Sequence, residues 1–188
     1  MEIIGIIIMT AVMILAFSKK ANAHCDTMDG PTVKDGLTAL ETKNLNYALK
    51  WISPGGEEEL ARIFHLSLKV RPLNGDAKEL ADRYFLENLV RIHRAGEGEP
   101  FTGLLPTGVP IDEKVAAADT CIEIGNISPL KGLAPDEQIP ELETRLRKAL
   151  ALKDFHVDDV EAGRKYIEAY VDFFKFAEGE EHHEHHHT

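Results

Sequence analysis

Cysteine, tryptophan and basic side chains are all scarce in this sequence. Two cysteines, Cys25 and Cys121, allow one disulfide at most and exclude a cystine-stapled scaffold. Lysine and arginine number 21 against 32 acidic residues, for a net charge of -11. That balance argues against nucleic acid or anionic lipid as a partner, since both reward cationic surfaces. It is compatible with weak capture of cations. Alternating β-branched runs are few, which argues against a sheet. No P-loop, paired CxxC, heme-attachment CxxCH, GxSxG or dinucleotide fingerprint occurs, so the familiar nucleotide, heme and acyl-transfer chemistries have no support.

The one long apolar run, Ile3 to Ser18, would reach about 24 Å as a helix, short of a hydrocarbon core of about 30 Å. It fits the core of an export leader better than a membrane span. Lys19 and Lys20 follow it, and Ala21-Asn22-Ala23 supplies the small-x-small pattern of a cleavage site. Against this, Glu2 replaces the usual n-region cation, and lysines beyond the run favour an inverted, uncleaved anchor. The expectation is a signal peptide over residues 1–23, with a periplasmic or extracellular protein beginning at His24 and no membrane association after processing. Its loss makes the net charge one unit more negative.

What remains is long enough for one domain with a real core. Apolar residues at three and four spacing predict an all-α helical bundle. The helices expected are Thr32 to Thr42, Leu45 to Ile52, Glu57 to Val70, Asp76 to Ala95, Asp112 to Ile124, Pro140 to Leu152 and Val157 to Phe176. In the fourth, Leu80, Tyr84, Leu89 and Ile92 are expected to line one face, with Asp82, Glu87, Arg91 and Arg94 mostly elsewhere. Glycines and prolines crowd residues 96–110, which read as a connector. Across it, residues match at a constant offset of 82: Glu41 and Asn44 with Glu123 and Asn126, Glu59, Leu60 and Leu68 with Glu141, Leu142 and Leu150, Tyr84 with Tyr166, and Ala95 with Ala177. Two pseudo-repeats of about 65 residues, 32–99 and 114–181, are therefore expected within the single domain 24–181.

Cleavage after Ala23 would create a chelator. The free α-amine, the Cys25 amide nitrogen and the Cys25 thiolate can close consecutive five-membered rings around one ion, with the His24 imidazole beside them. Deprotonating an amide calls for nickel(II) or copper(II) rather than zinc. Asp26 and Asp29 add oxygen donors, and Gly30-Pro31 turns the chain into the first long helix. Alternatively, Cys25 pairs with Cys121 or is buried as a small apolar group.

The stretch from His24 to Pro31, with Ala81-Asp82-Arg83-Tyr84-Phe85 and the run from Val90 to Gly98, resembles an uncharacterised family of exported bacterial proteins of unknown function. The opening His24-Cys25-Asp26 also resembles the processed start of nickel superoxide dismutase, itself helical. That resemblance implies His24 as amine and axial imidazole ligand, and Cys25 as amide and thiolate ligand. Where that family has its second cysteine this chain has Asp29; its glycine is matched by Gly30, and its tyrosine is replaced by Thr32. One thiolate and one carboxylate imply binding with poor redox cycling.

His65, in Phe64-His65-Leu66, and His93 are further candidate ligands if they face this hook, and packing residues otherwise. Arg91 and Arg94 flank His93 and are expected to cap the helix end or bind an anion. The tail holds His182, His183, His185, His186 and His187, a flexible trap for nickel, copper or zinc if native, or a purification tag. The leading expectation is an exported metal-binding protein. A redox enzyme and a non-catalytic envelope module that binds another protein are the alternatives.

Overall fold

Proline at a first helical turn, side-chain caps and left-handed C-caps punctuate the described chain into helices. A computed structural model describes residues 23–179, with side chains from Cys25 onward. The leader, the His24 side chain and the histidine tail lie outside it. The helices are α1 (Ala23–Asp26), α2 (Pro31–Thr42), α3 (Asn46–Leu49), α4 (Glu57–Val70), α5 (Gly75–Glu97), α6 (Glu113–Ile124), α7 (Ile139–Leu152) and α8 (Val160–Glu178). The protein is an all-α helical bundle with no strand among the described residues; its bridges, such as Thr27 to Leu105, are isolated. No described helix is long and apolar enough to cross a membrane.

Pro31 opens α2 and Lys43, at φ 57°, closes it. Asn74 caps α5 by accepting from the Ala77 amide at 2.8 Å, and Gly98, at φ 75°, ends it. Asp159 does the same for α8 through the Ala162 amide at 2.9 Å. Each cap satisfies donors or carbonyls that the helix leaves unpaired.

Two apolar clusters form. One gathers Val33, Leu40, Leu60, Phe64, Phe85, Leu89 and Val90 from the chain before the connector. The other gathers Val115, Cys121, Leu130, Leu142, Leu146, Tyr170 and Phe173 from the chain after it, together with Cys25 and Trp51. In each cluster the longest helix carries the other two: α2 and α4 pack on α5, α6 and α7 on α8. Gly36 lets α2 approach α5 closely, since a Cβ there would lie 2.7 Å from Leu86 and 2.8 Å from Leu89. Gly163 does likewise where α8 meets Lys50, just beyond α3.

Element bounds before and after the connector differ by 82 residues for α2 and α6, for the 3-10 turns Pro54–Gly56 and Asp136–Gln138, and for α4 and α7. Side chains follow suit. Arg71 donates to the Leu40 carbonyl at 2.7 Å and Lys153 to the Ile122 carbonyl at 2.9 Å. The longest helices depart from this spacing, α8 beginning at Val160 where α5 begins at Gly75.

The face expected of α5 is wrong in part. Leu80 and Tyr84 are 69% and 45% exposed, while Asp82 and Arg94 are buried. The buried stripe runs through Ala81, Phe85, Leu86, Leu89, Val90, Ile92 and His93. Asp82 is tolerated inside because Arg71 grips both its oxygens and Lys78 donates to Oδ2 at 2.7 Å. Burial works to raise the Asp82 carboxyl, but those hydrogen bonds and charges outweigh it and hold the carboxyl below its ordinary range. A depressed folded pKa adds stability that is present above the ordinary carboxylate range and lost as pH falls through the lower value. Asp82→Asn should therefore lower stability at neutral pH and flatten its acid limb, read by urea unfolding from pH 7 to pH 2.

Candidate functional site

The first turn of the described chain is sewn into the bundle by one carboxylate. Asp26, 6% exposed, accepts from Arg94 Nε at 2.8 Å, and Arg94 itself is 4% exposed. Arg94 also reaches Glu97 at 3.1 Å. Arg94 is thus a buried partner of the N-terminal segment, and Arg91 pairs with Glu59 at 2.5 Å and with Asn88. Both differ from the expected capping or anion-binding roles, because carboxylates from distant chain positions claim them. The connector locks over the same segment: Leu105 donates to the Asp26 carbonyl at 2.8 Å, Met28 donates to the Leu105 carbonyl at 2.9 Å, and Gly108 donates to Asp29 Oδ2 at 3.2 Å.

Cys25 is buried at 5% exposure and is a free thiol, as is buried Cys121, so the two are not bridged. Burial first, then the Glu97 carboxylate, push the Cys25 thiol up to about 12, with Arg94 and the Thr32 hydroxyl pulling back. Even with Arg94 nearby, this sulfur stays protonated at neutral pH.

His93 is 4% exposed on α5. Its Nδ1 lies 2.7 Å from the Trp51 carbonyl oxygen. A carbonyl only accepts, so Nδ1 carries a proton and Nε2 is left facing the pocket. That Nε2 is buried and has no hydrogen-bond partner among the described residues. The group facing it is Glu97 Oε2 at 3.8 Å. The Trp51 ring stands edge-on to His93, centroids 5.8 Å apart, and edge-on to Tyr170 at 6.2 Å. Trp51 Nε1 donates to Asp35 at 2.6 Å.

His93, Glu97, Trp51 and Ser53 form one wall of a pocket of about 640 Å³, with Arg164, Ile167 and Asp172 opposite. The site therefore lies between the two clusters. A second pocket of about 420 Å³, on Asp35, Asp119 and Tyr166, shares Trp51 and Ile167 with the first.

Of the residues expected to ligate metal, Cys25, Asp26 and His93 are buried, and the Asp26 carboxylate feels both Glu97 and His93. His65 is exposed on α4, because the buried stripe of that helix runs through Leu60, Ile63, Phe64 and Ser67. Asp29 is exposed and occupied by the connector, which holds its carboxyl below the ordinary range, chiefly through the Gly108 amide. Among the described side chains, no group of three or more His, Cys, Asp or Glu is arranged to hold a metal ion. Glu97 and Trp51 went unremarked in the sequence. The signal available for Glu97 was its i,i+4 spacing from His93.

Residues 29–176 match the Family of unknown function (DUF6448). The chain belongs to this family. In this DUF6448 member the match covers the connector and the helices α2 to α7 whole, and it begins at Asp29, after the His24-Cys25-Asp26 segment. No curated protein and no solved structure matches the chain.

Proposed function

We propose that this DUF6448 protein is an exported metal-binding protein whose processed N-terminus closes over His93 and Glu97. One observation carries the reading: the buried His93 Nε2, with no hydrogen-bond partner among the described residues, lies 3.8 Å from the Glu97 carboxylate oxygen. With the imidazole as a neutral ligand the two are facing acceptors, and a metal ion between them satisfies both. Bonds of about 2.0–2.2 Å to each, at an open angle, span such a gap. The Trp51 carbonyl acts as the outer partner that metal-binding histidines ordinarily have, fixing the tautomer and aiming Nε2.

Charge balance supports the same reading. With Cys25 as thiolate, the group holds three negative charges, Cys25, Asp26 and Glu97, against Arg94 alone. A divalent ion offsets that excess, leaving one negative charge once the deprotonated Cys25 amide is counted, and coordination removes the thiol proton that burial otherwise retains. The His24 amine and the Cys25 amide complete a donor set that suits nickel(II) or copper(II). Asp26 and Asp29 then serve as anchors that hold the hook in place. His65 has no part in this set. The histidine tail is an auxiliary trap for the same ions or zinc.

The recurrence at 82 residues supports an ancestral duplication in which one half kept the site. At the offset positions, Trp51, His93 and Glu97 correspond to Leu133, Lys175 and Gly179. The second half supplies the facing wall instead.

The test uses protein begun at His24, with the tail removed, and the same protein with one alanine added before His24. Native mass spectrometry is expected to find one nickel(II) or copper(II) on the first and at least about a tenfold weaker site on the second. Equal binding by both proteins would remove the amine from the site and the hook from the account.

A further inference from the structure

The connector that clamps the N-terminal segment also roofs a pocket that the metal reading does not use. It measures about 610 Å³, within the range of about 300–1,000 Å³ typical of small-ligand sites. Its lining is mostly apolar: Leu37 of α2 and Leu86 of α5 meet Leu104, Leu105 and Pro106 of the connector, with Met28 at the edge. The roof is preformed, because Leu105 is bonded through both its amide and its carbonyl to the segment carrying Asp26 and Met28. A ligand therefore finds a built slot and does not have to order a loop.

Four charged residues line the same pocket: Lys78, Glu79, Asp82 and Arg83. Asp82 is held by Arg71 and by Lys78 at 2.7 Å, and the Lys78 ammonium, 57% exposed, keeps two further donors for a ligand. Arg83, 69% exposed, adds a second cation, which Glu87 engages only along the helix surface. Exposed Glu79 supplies a carboxylate for a ligand cation. The lining thus carries both signs in equal number on a chain of net charge -11, which repels a purely anionic amphiphile over distance. A head group with a phosphate and an ammonium meets both signs locally and feels no net repulsion.

We propose that this pocket binds one single-chain amphiphile with a zwitterionic phospholipid head group, its acyl chain on Leu37, Leu86 and Leu104 and its phosphate at Lys78 and Arg83. The probe is n-dodecylphosphocholine below its critical micelle concentration, titrated calorimetrically into the full protein begun at His24. Saturable one-to-one binding is expected, at least about tenfold weaker after Leu104→Glu, which places a charge on the apolar roof. Met28→Glu, at a residue 36% exposed, is expected to weaken binding in the same direction with the helical circular dichroism unchanged, which guards against misfolding of the first variant. Dodecyl sulfate and dodecyltrimethylammonium, each bearing one sign, are expected to bind at least about fivefold more weakly. Absence of saturable binding overturns the proposal, as does affinity unmoved by both substitutions. Equal or tighter binding of either singly charged detergent overturns the head-group assignment.

Discussion

Arg94→Met should cost about 3–5 kcal/mol of folding stability, the range for breaking a buried ion pair from one side. The arginine is nearly invisible to solvent and its partner Asp26 equally so. Methionine fills much of the volume but leaves the Asp26 carboxylate in a dry site with Glu97 nearby and no compensating charge. Burial already pushes that carboxyl up from its ordinary value, with Arg94 drawing it partly back. In the variant it rises further and takes up a proton, so the loss should shrink as pH falls and a neutral acid replaces the stranded charge. Asp26→Asn combined with Arg94→Met should recover part of the loss, since both charges are then gone. A local consequence follows as well. The Leu105 amide, bonded to the Asp26 carbonyl at 2.8 Å, should exchange its hydrogen faster as the first turn loosens. A loss under about 1 kcal/mol by urea unfolding, typical of solvated pairs, would show that water already reaches this pair.

Trp51→Ala should also cost about 3–5 kcal/mol, the usual toll of truncating a large buried aromatic. Trp51 comes from the chain before the connector yet packs in the cluster formed after it, so it is a cross-tie between the two cores. It lines both pockets beside the site, and truncation should let water into the space its ring fills. Trp51→Phe should retain most of the packing and lose the donor to Asp35, a charge-assisted bond of about 1.5–3 kcal/mol. Lys50 stays on Asp35 at 2.9 Å in both variants and limits the electrostatic part of the damage. Urea unfolding followed by circular dichroism reads both, because the alanine variant has no tryptophan left to fluoresce. Equal losses for alanine and phenylalanine would mean that the hydrogen bond to Asp35, and not the ring's bulk, ties the cores together.

The helices were legible because local signals mark them. Apolar spacing of three and four fills each interval, whereas the cap at Asp159 was missed and the helix expected from Val157 begins at Val160. The α5 face was misread because periodicity weighs Leu80 and Tyr84 as core by type alone. Asp82 and Arg94 looked solvent-facing for the same reason. Their burial depends on Arg71 and Asp26, and Asp26 lies 68 residues from Arg94 in the chain. No local pattern carries such a pairing. His65 and His93 were both lone helical histidines in sequence, with nothing local to say which is buried. The difference is that the Trp51 carbonyl meets one of them, and a backbone acceptor leaves no trace in residue types. Asp26 and Asp29 read as oxygen donors because carboxylates beside a cysteine suggest coordination. Folding gives them to Arg94 and to the connector.

The central claim is that Cys25 and His93 share one ion. X-ray absorption at the metal edge, on the tail-free protein begun at His24 and loaded with one nickel(II), tests it most directly. A sulfur scatterer that vanishes in Cys25→Ser is expected, with an imidazole contribution that falls in His93→Ala. A shell of nitrogen and oxygen alone, unchanged by either substitution, would contradict it.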